Sequence, residues 1–111
     1  MSFIDPQLET AEEEILPGFK VRFIHSGSMT LAYWDIAAGG LLPEHAHPHE
    51  QVANIIEGEF ELTINGESCA MKAGTLAIIS PNAVHSGKAL TACRIIDVFY
   101  PIREDYRRSK N

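Results

Sequence analysis

The strongest constraint on this chain is a period-two alternation that recurs in short runs separated by turn residues. Phe19, Val21 and Phe23 alternate with Lys20 and Arg22, and Phe60, Leu62 and Ile64 alternate with Glu59, Glu61 and Thr63. Successive side chains on a strand point to opposite faces, so each run reads as a strand with one buried face. Asn65-Gly66 follows the second run directly, and such a pair supplies the two positive-φ positions of a type I′ hairpin turn. Residues 68–71 are then the returning strand. Further strands are expected over 29–36, 52–56, 76–79 and 94–100, with Ala38-Gly39-Gly40 and Glu57-Gly58 as breaks. Many short strands with turn signals about every ten residues point to an all-β sandwich or barrel.

Two of these segments, Leu76-Ala77-Ile78-Ile79 and Ile95-Ile96-Asp97-Val98-Phe99-Tyr100, are apolar on both faces. A strand with one wet face alternates. Their outer face is therefore expected to be covered, either by an arm of the chain or by a second subunit, and a homodimer is the expected assembly.

The length of 111 residues predicts one domain, with a barrel over 19–100 between arms at 1–18 and 101–111. Glu12, Glu13 and Glu14 read as a solvated charge run, and Pro17-Gly18 breaks any local helix. The last arm holds Arg103, Arg107, Arg108 and Lys110, four of the nine basic residues. Opposite charge suggests that the arms lie near one another or near those of a partner subunit. The net charge of -6 argues against non-specific binding to nucleic acid or to an anionic membrane surface. No apolar stretch approaches the ~20 residues of a membrane span. The acidic N-terminus lacks the apolar run of a signal peptide. Cys69 and Cys93 form no C-x-x-C pair and read as reduced thiols of a cytoplasmic protein.

The chemistry concentrates in Pro43-Glu44-His45-Ala46-His47-Pro48-His49-Glu50-Gln51. On an extended segment His45 and His47 point the same way, which makes a ready divalent-metal clamp. Pro48 makes a bend there, so His49 is expected at the rim or behind the ligands. Glu50 and Gln51 are both candidate oxygen donors at this point. His25 reads as a surface or capping histidine. Asp97 shares a strand face with Ile95 and Phe99. If that face looks inward, burial raises its pKa and a nearby cation lowers it, opposed effects typical of functional carboxylates.

At these residues the chain resembles the cupins. Gly39, five residues, His45-Ala46-His47, three residues, Gln51, six residues and Gly58 match the spacing of the family's first motif, with Gln51 where Glu is usual. Gly74, five residues, Ser80-Pro81-Asn82, two residues and His85 match the second, with Ser80 and Asn82 in place of Pro and Gly. Asn82 tolerates the positive φ such a turn needs. The family's closing Asn is replaced by Ala89. The resemblance implies a double-stranded β-helix, or jelly-roll, barrel. It also implies one divalent metal ion (Zn, Ni, Mn, Co or Fe) held by His45, His47, Gln51 and His85. A neutral Gln51 leaves the full divalent charge on the site, a strong Lewis acid and anion anchor.

The stretches His45 to Val52, Pro81 to His85 and Asp97-Val98-Phe99-Tyr100-Pro101-Ile102-Arg103-Glu104-Asp105-Tyr106 further resemble the KdgF-type cupins of pectin and alginate breakdown. Those proteins open the ring of 4,5-unsaturated monouronates to the linear keto-uronate. The resemblance implies a small anionic substrate, Asp97 as acid/base, and Arg103 and Phe99 as substrate-binding residues. A planar guanidinium suits a substrate carboxylate. Other expectations for such a chain are a metal-dependent dioxygenase or isomerase on another small polar substrate, or a ligand-binding cupin without catalysis.

Overall fold

The structure, a computed structural model, describes residues 2–108. Among them ten strands and two short helices run in the order α1 (Pro6–Glu9), β1 (Glu13–Leu16), β2 (Phe19–His25), β3 (Thr30–Ile36), β4 (Leu41–His45), β5 (Glu50–Glu57), β6 (Glu59–Ile64), β7 (Glu67–Lys72), β8 (Leu76–Ile79), β9 (His85–Ala89), β10 (Cys93–Tyr100) and α2 (Glu104–Arg108). The strands form a six-stranded sheet, β1-β2-β3-β10-β5-β8, and a four-stranded sheet, β4-β9-β6-β7, with antiparallel pairing throughout. This is the all-β class that the alternation predicts and the jelly roll that the cupin resemblance implies.

Alternation decides what faces inward. β2 buries Phe19, Val21 and Phe23, β6 buries Phe60 and Leu62, and β10 buries Cys93, Ile95, Asp97 and Phe99. Phe19, Ile36, Ile55, Phe60, Leu62 and Ile79 pack into one core that joins the two sheets. At the β6–β7 hairpin Asn65 has φ 48 and Gly66 φ 84, so both central residues are left-handed as the type I′ turn requires. Gly58 also has positive φ, and a Cβ there would run into the Ala92 carbonyl.

β1, β4, β7 and β9 show no clear alternation of burial. β1 lies within the N-terminal arm and pairs with β2 through an irregular register between Glu14 and Leu16. β4 and β9 pair with each other, and β4 is largely exposed. The C-terminal arm returns to the barrel as α2, with Tyr106 stacked on Phe23 at 4.4 Å. Its basic side chains pair locally, Arg103 with Asp105 at 2.8 Å and Arg107 with Glu104 at 3.5 Å. The Arg108 side chain and Lys110 lie outside the described residues.

The outer face of the six-stranded sheet carries an apolar patch, bordered by Lys20, Asp35 and Arg94 at one end. Leu31, Val98, Val52 and Ile78 form one cross-strand row on it. Leu76 and Ile78 are 55% and 62% exposed, so neither arm covers them within the described residues. No helix among those residues is long and apolar enough to cross a membrane.

Candidate functional site

The histidines are placed by a register step. Leu42 stands opposite Gly87, but His45 stands opposite His85, so β4 carries one extra residue at Pro43-Glu44. Such a bulge re-aims the side chains that follow it, and a proline is tolerated there because no ladder donor is lost. With regular pairing Glu44 would face His85. His47 lies in the loop after β4, and its carbonyl accepts a hydrogen bond from Asn82 N at 2.7 Å. Asn82 has φ 68, the left-handed turn expected of it. That turn delivers His85 at the start of β9. Gln51 is the second residue of β5, points inward, and pairs with Phe99 on β10.

The three rings converge. Candidate ligand atoms of His45, His47 and His85 lie within 4.8 Å of one another. Nδ1 of His45 is 2.8 Å from the Pro43 carbonyl, that of His47 is 3.1 Å from the His49 carbonyl, and that of His85 is 2.8 Å from the Ala83 carbonyl. A carbonyl only accepts, so a neutral ring in each place carries its proton on Nδ1 and presents a lone pair on Nε2. The Nε2 of His85 is buried with no hydrogen-bond partner. The Nε2 of His47 is 3.1 Å from Gln51 Oε1, a second lone-pair donor. Burial, then the Arg103 charge, holds the His47 pKa at about 4, and burial lowers that of His85. These two rings are thus neutral near pH 7, as metal ligation requires. The donor set fits one divalent cation on His45, His47 and His85, with Gln51 Oε1 beside them. Glu50 is exposed, and His49 meets the cluster through its carbonyl, orienting His47.

Asp97 lies on the inner face of β10, 7% exposed. Trp34 Nε1 donates to its Oδ2 at 3.0 Å, and the Gln51 side-chain amide also interacts with the carboxylate. Burial raises its pKa to about 7 against the opposing effects of the Gln51 amide, the Trp34 indole and the Arg103 charge. Asp97, Gln51, His45 and His47 all line one cavity of about 350 Å³ inside the barrel.

Arg103 reaches that cavity from the C-terminal arm and is 7% exposed. Its guanidinium lies 4.8 Å from the Phe99 ring centre and 4.0 Å from that of Tyr106. Asp105 accepts from Arg103 Nε at 3.0 Å and from Nη2 at 2.8 Å. The Arg103 backbone N–H donates to the buried Thr30 hydroxyl at 2.8 Å, and that hydroxyl also meets His25 Nδ1 at 2.8 Å. Phe99 completes the wall, its ring centre 5.6 Å from that of His47.

Residues 32–99 match the cupin domain family. The chain is a cupin. Pectin degradation protein KdgF of Dickeya dadantii is 33% identical to it over 107 residues, 94% of this chain and 96% of that protein. An RmlC-like cupin from Shewanella frigidimarina superposes with a TM-score of 0.88 at 28% identity, covering 96% of each chain. KdgF from Halomonas sp. superposes with a TM-score of 0.88 at 24% identity, covering 96% of this chain and 98% of that one.

The structure of this cupin brings together His45, His47, Gln51, His85, Asp97, Phe99 and Arg103, while Glu50, the other candidate oxygen donor, is exposed. Three neighbours were not singled out. Trp34 follows from the alternation Ala32, Trp34, Ile36, which places it on the inner face, but its partner is 63 residues away. Asp105 and Tyr106 sit in the resembling tail, yet their contacts with Arg103 depend on how α2 folds back.

Proposed function

We propose that this cupin opens the ring of 4,5-unsaturated monouronates to linear keto-uronates, with one divalent metal ion as cofactor. The observation that carries the proposal is the buried Asp97 carboxyl in the same cavity as His45 and His47. Similarity to the pectin degradation protein of Dickeya dadantii supports the choice of substrate class.

His45, His47, His85 and Gln51 would hold the metal, which when bound supplies Lewis-acid polarisation of substrate oxygens. Arg103 receives the substrate carboxylate. Asp105 takes its Nε and Nη2, so Nη1 lies outside that pair. Phe99 forms an apolar wall against the sugar ring. Asp97 is the acid/base, and its pKa of about 7 lets it both take and return a proton near neutral pH. It accepts the proton of the anomeric hydroxyl as the bond between the anomeric carbon and the ring oxygen breaks. This leaves an aldehyde at C1 and an enolate at C5, and protonation at C4 gives the ketone. All atoms are retained and no electrons are gained or lost.

The protein acts in the cytoplasm in this reading, where Cys69 and Cys93, both free, stay reduced. A second copy of the chain covers the apolar patch on the outer face of the six-stranded sheet.

The test is Asp97→Asn, assayed by loss of the substrate's conjugated absorbance and by elemental metal content. Turnover is expected to fall by about a hundredfold or more with metal content kept. Unchanged turnover overturns the assignment.

A further inference from the structure

The barrel cavity is chemically divided along its axis. Inward residues of the six-stranded sheet form cross-strand rows. One row holds Thr30, Phe99 and Gln51, and the next holds Ala32, Asp97 and Ala53. The row after that, across β3, β10 and β5, is Trp34, Ile95 and Ile55, and Ile36 follows on β3. The charged and amide side chains of the cavity belong to the first two rows, or to the loop, strand and arm that face them: His45, His47, Gln51, Asp97 and Arg103. Beyond Asp97 the walls are hydrocarbon, with Ile36, Ile55 and Ile95 from one sheet and Leu42, Phe60 and Leu62 from the other. The indole N–H of Trp34, at the border, is already given to Asp97.

A monouronate carries hydroxyls around its ring. Hydrocarbon walls offer them no partner, and a buried hydroxyl without one is costly. The sugar acid therefore occupies the polar end and leaves the apolar end unused. An apolar chamber of this kind is a site for an apolar group rather than for water. We propose that the apolar end is a second subsite, which receives the hydrocarbon or aryl arm of an acid whose carboxylate sits at the polar end. The ligand class is an amphipathic monocarboxylate, such as an alkyl- or aryl-substituted oxo acid. The inference rests on the polar end holding a carboxylate, as proposed above, and not on the ring-opening reaction.

Straight-chain monocarboxylates from acetate to octanoate, titrated by calorimetry onto the protein with its metal, test this. The association constant is expected to rise about fourfold per methylene until the chain meets the end wall. In Leu42→Asn, altered at a half-buried wall position, the rise is expected to flatten while acetate binding stays the same. Equal affinity along the wild-type series overturns the inference and leaves carboxylate binding at the polar end intact. Binding of none of the acids overturns it together with that carboxylate site. Turnover of an unsaturated monouronate on the same preparation separates either result from the fate of the ring-opening proposal.

Discussion

Asp97 shares its face of β10 with Ile95 and Phe99, and burial there raises its carboxyl from 3.8 to about 7. Between those values the folded state holds a proton that the unfolded state has lost. The Asp97 contribution to stability therefore falls as pH rises from about 4 to about 7 and levels off above, while the lowered pKa of His47 contributes a rise between about 4 and 6.5. Asp97→Asn removes the Asp97 contribution and leaves that of the histidines, so its unfolding midpoint in EDTA is expected to gain on that of the wild type as pH rises across the window. A parallel pH dependence would show that the carboxyl is not buried as described. Asp105 acts on the site through Arg103, holding the guanidinium against Phe99 and Tyr106. Asp105→Ala is expected to raise KM about tenfold by loosening a charge-assisted pair, with kcat and metal content little changed. Asp105→Glu should recover part of that loss. His45 and His47 are legible in the sequence because residues two apart on an extended chain point the same way. The bond between Trp34 and Asp97 is not, because it joins strands distant in sequence.

The strands differ in how openly they announce themselves. β2 and β6 alternate, β10 reads as a run apolar on both faces, and the β6–β7 turn is written in Asn65-Gly66. β4 and β9 read as Leu-Leu-Pro-Glu-His and His-Ser-Gly-Lys-Ala, with a proline in one and little apolar content in the other. Each is nevertheless held in place by pairing, and β9 is further held by β6. The pairing of His45 with His85, reached through the bulge after Leu42, is the element-scale feature on which the metal cluster depends. Deleting Pro43 removes the extra residue, so a regular ladder then runs from Leu42–Gly87 through Glu44–Ser86 to His45–His85, and metal content and the strand content of the circular dichroism spectrum are both expected to be retained. Loss of metal in that deletion would mean that the bulge itself, and not the pairing of His45 with His85, aims the ring.

At the scale of the whole molecule, two apolar surfaces stand out, one lining the barrel and one on the outside of the six-stranded sheet. On the outer surface, Ile78→Lys combined with Leu76→Lys is expected to shift the sedimentation coefficient from dimer to monomer. Because both side chains are more than half exposed in the single chain, the unfolding midpoint should change little. A wild type that sediments as a monomer would remove the second copy from the account.

The sequence by itself determined the all-β class, the hairpin at Asn65-Gly66, the pair of histidines on one face and, by motif spacing, the cupin family. These follow from alternation, turn chemistry and spacing, all read from near neighbours in the chain. Only the tertiary structure decided that the three Nε2 atoms share a direction, that Trp34 and Gln51 frame Asp97, that Asp105 and Tyr106 seat Arg103, and that the cavity has a polar and an apolar end. Those relations join residues on separate strands. They depend on strand register and on one extra residue in β4, which pairing between distant strands settles.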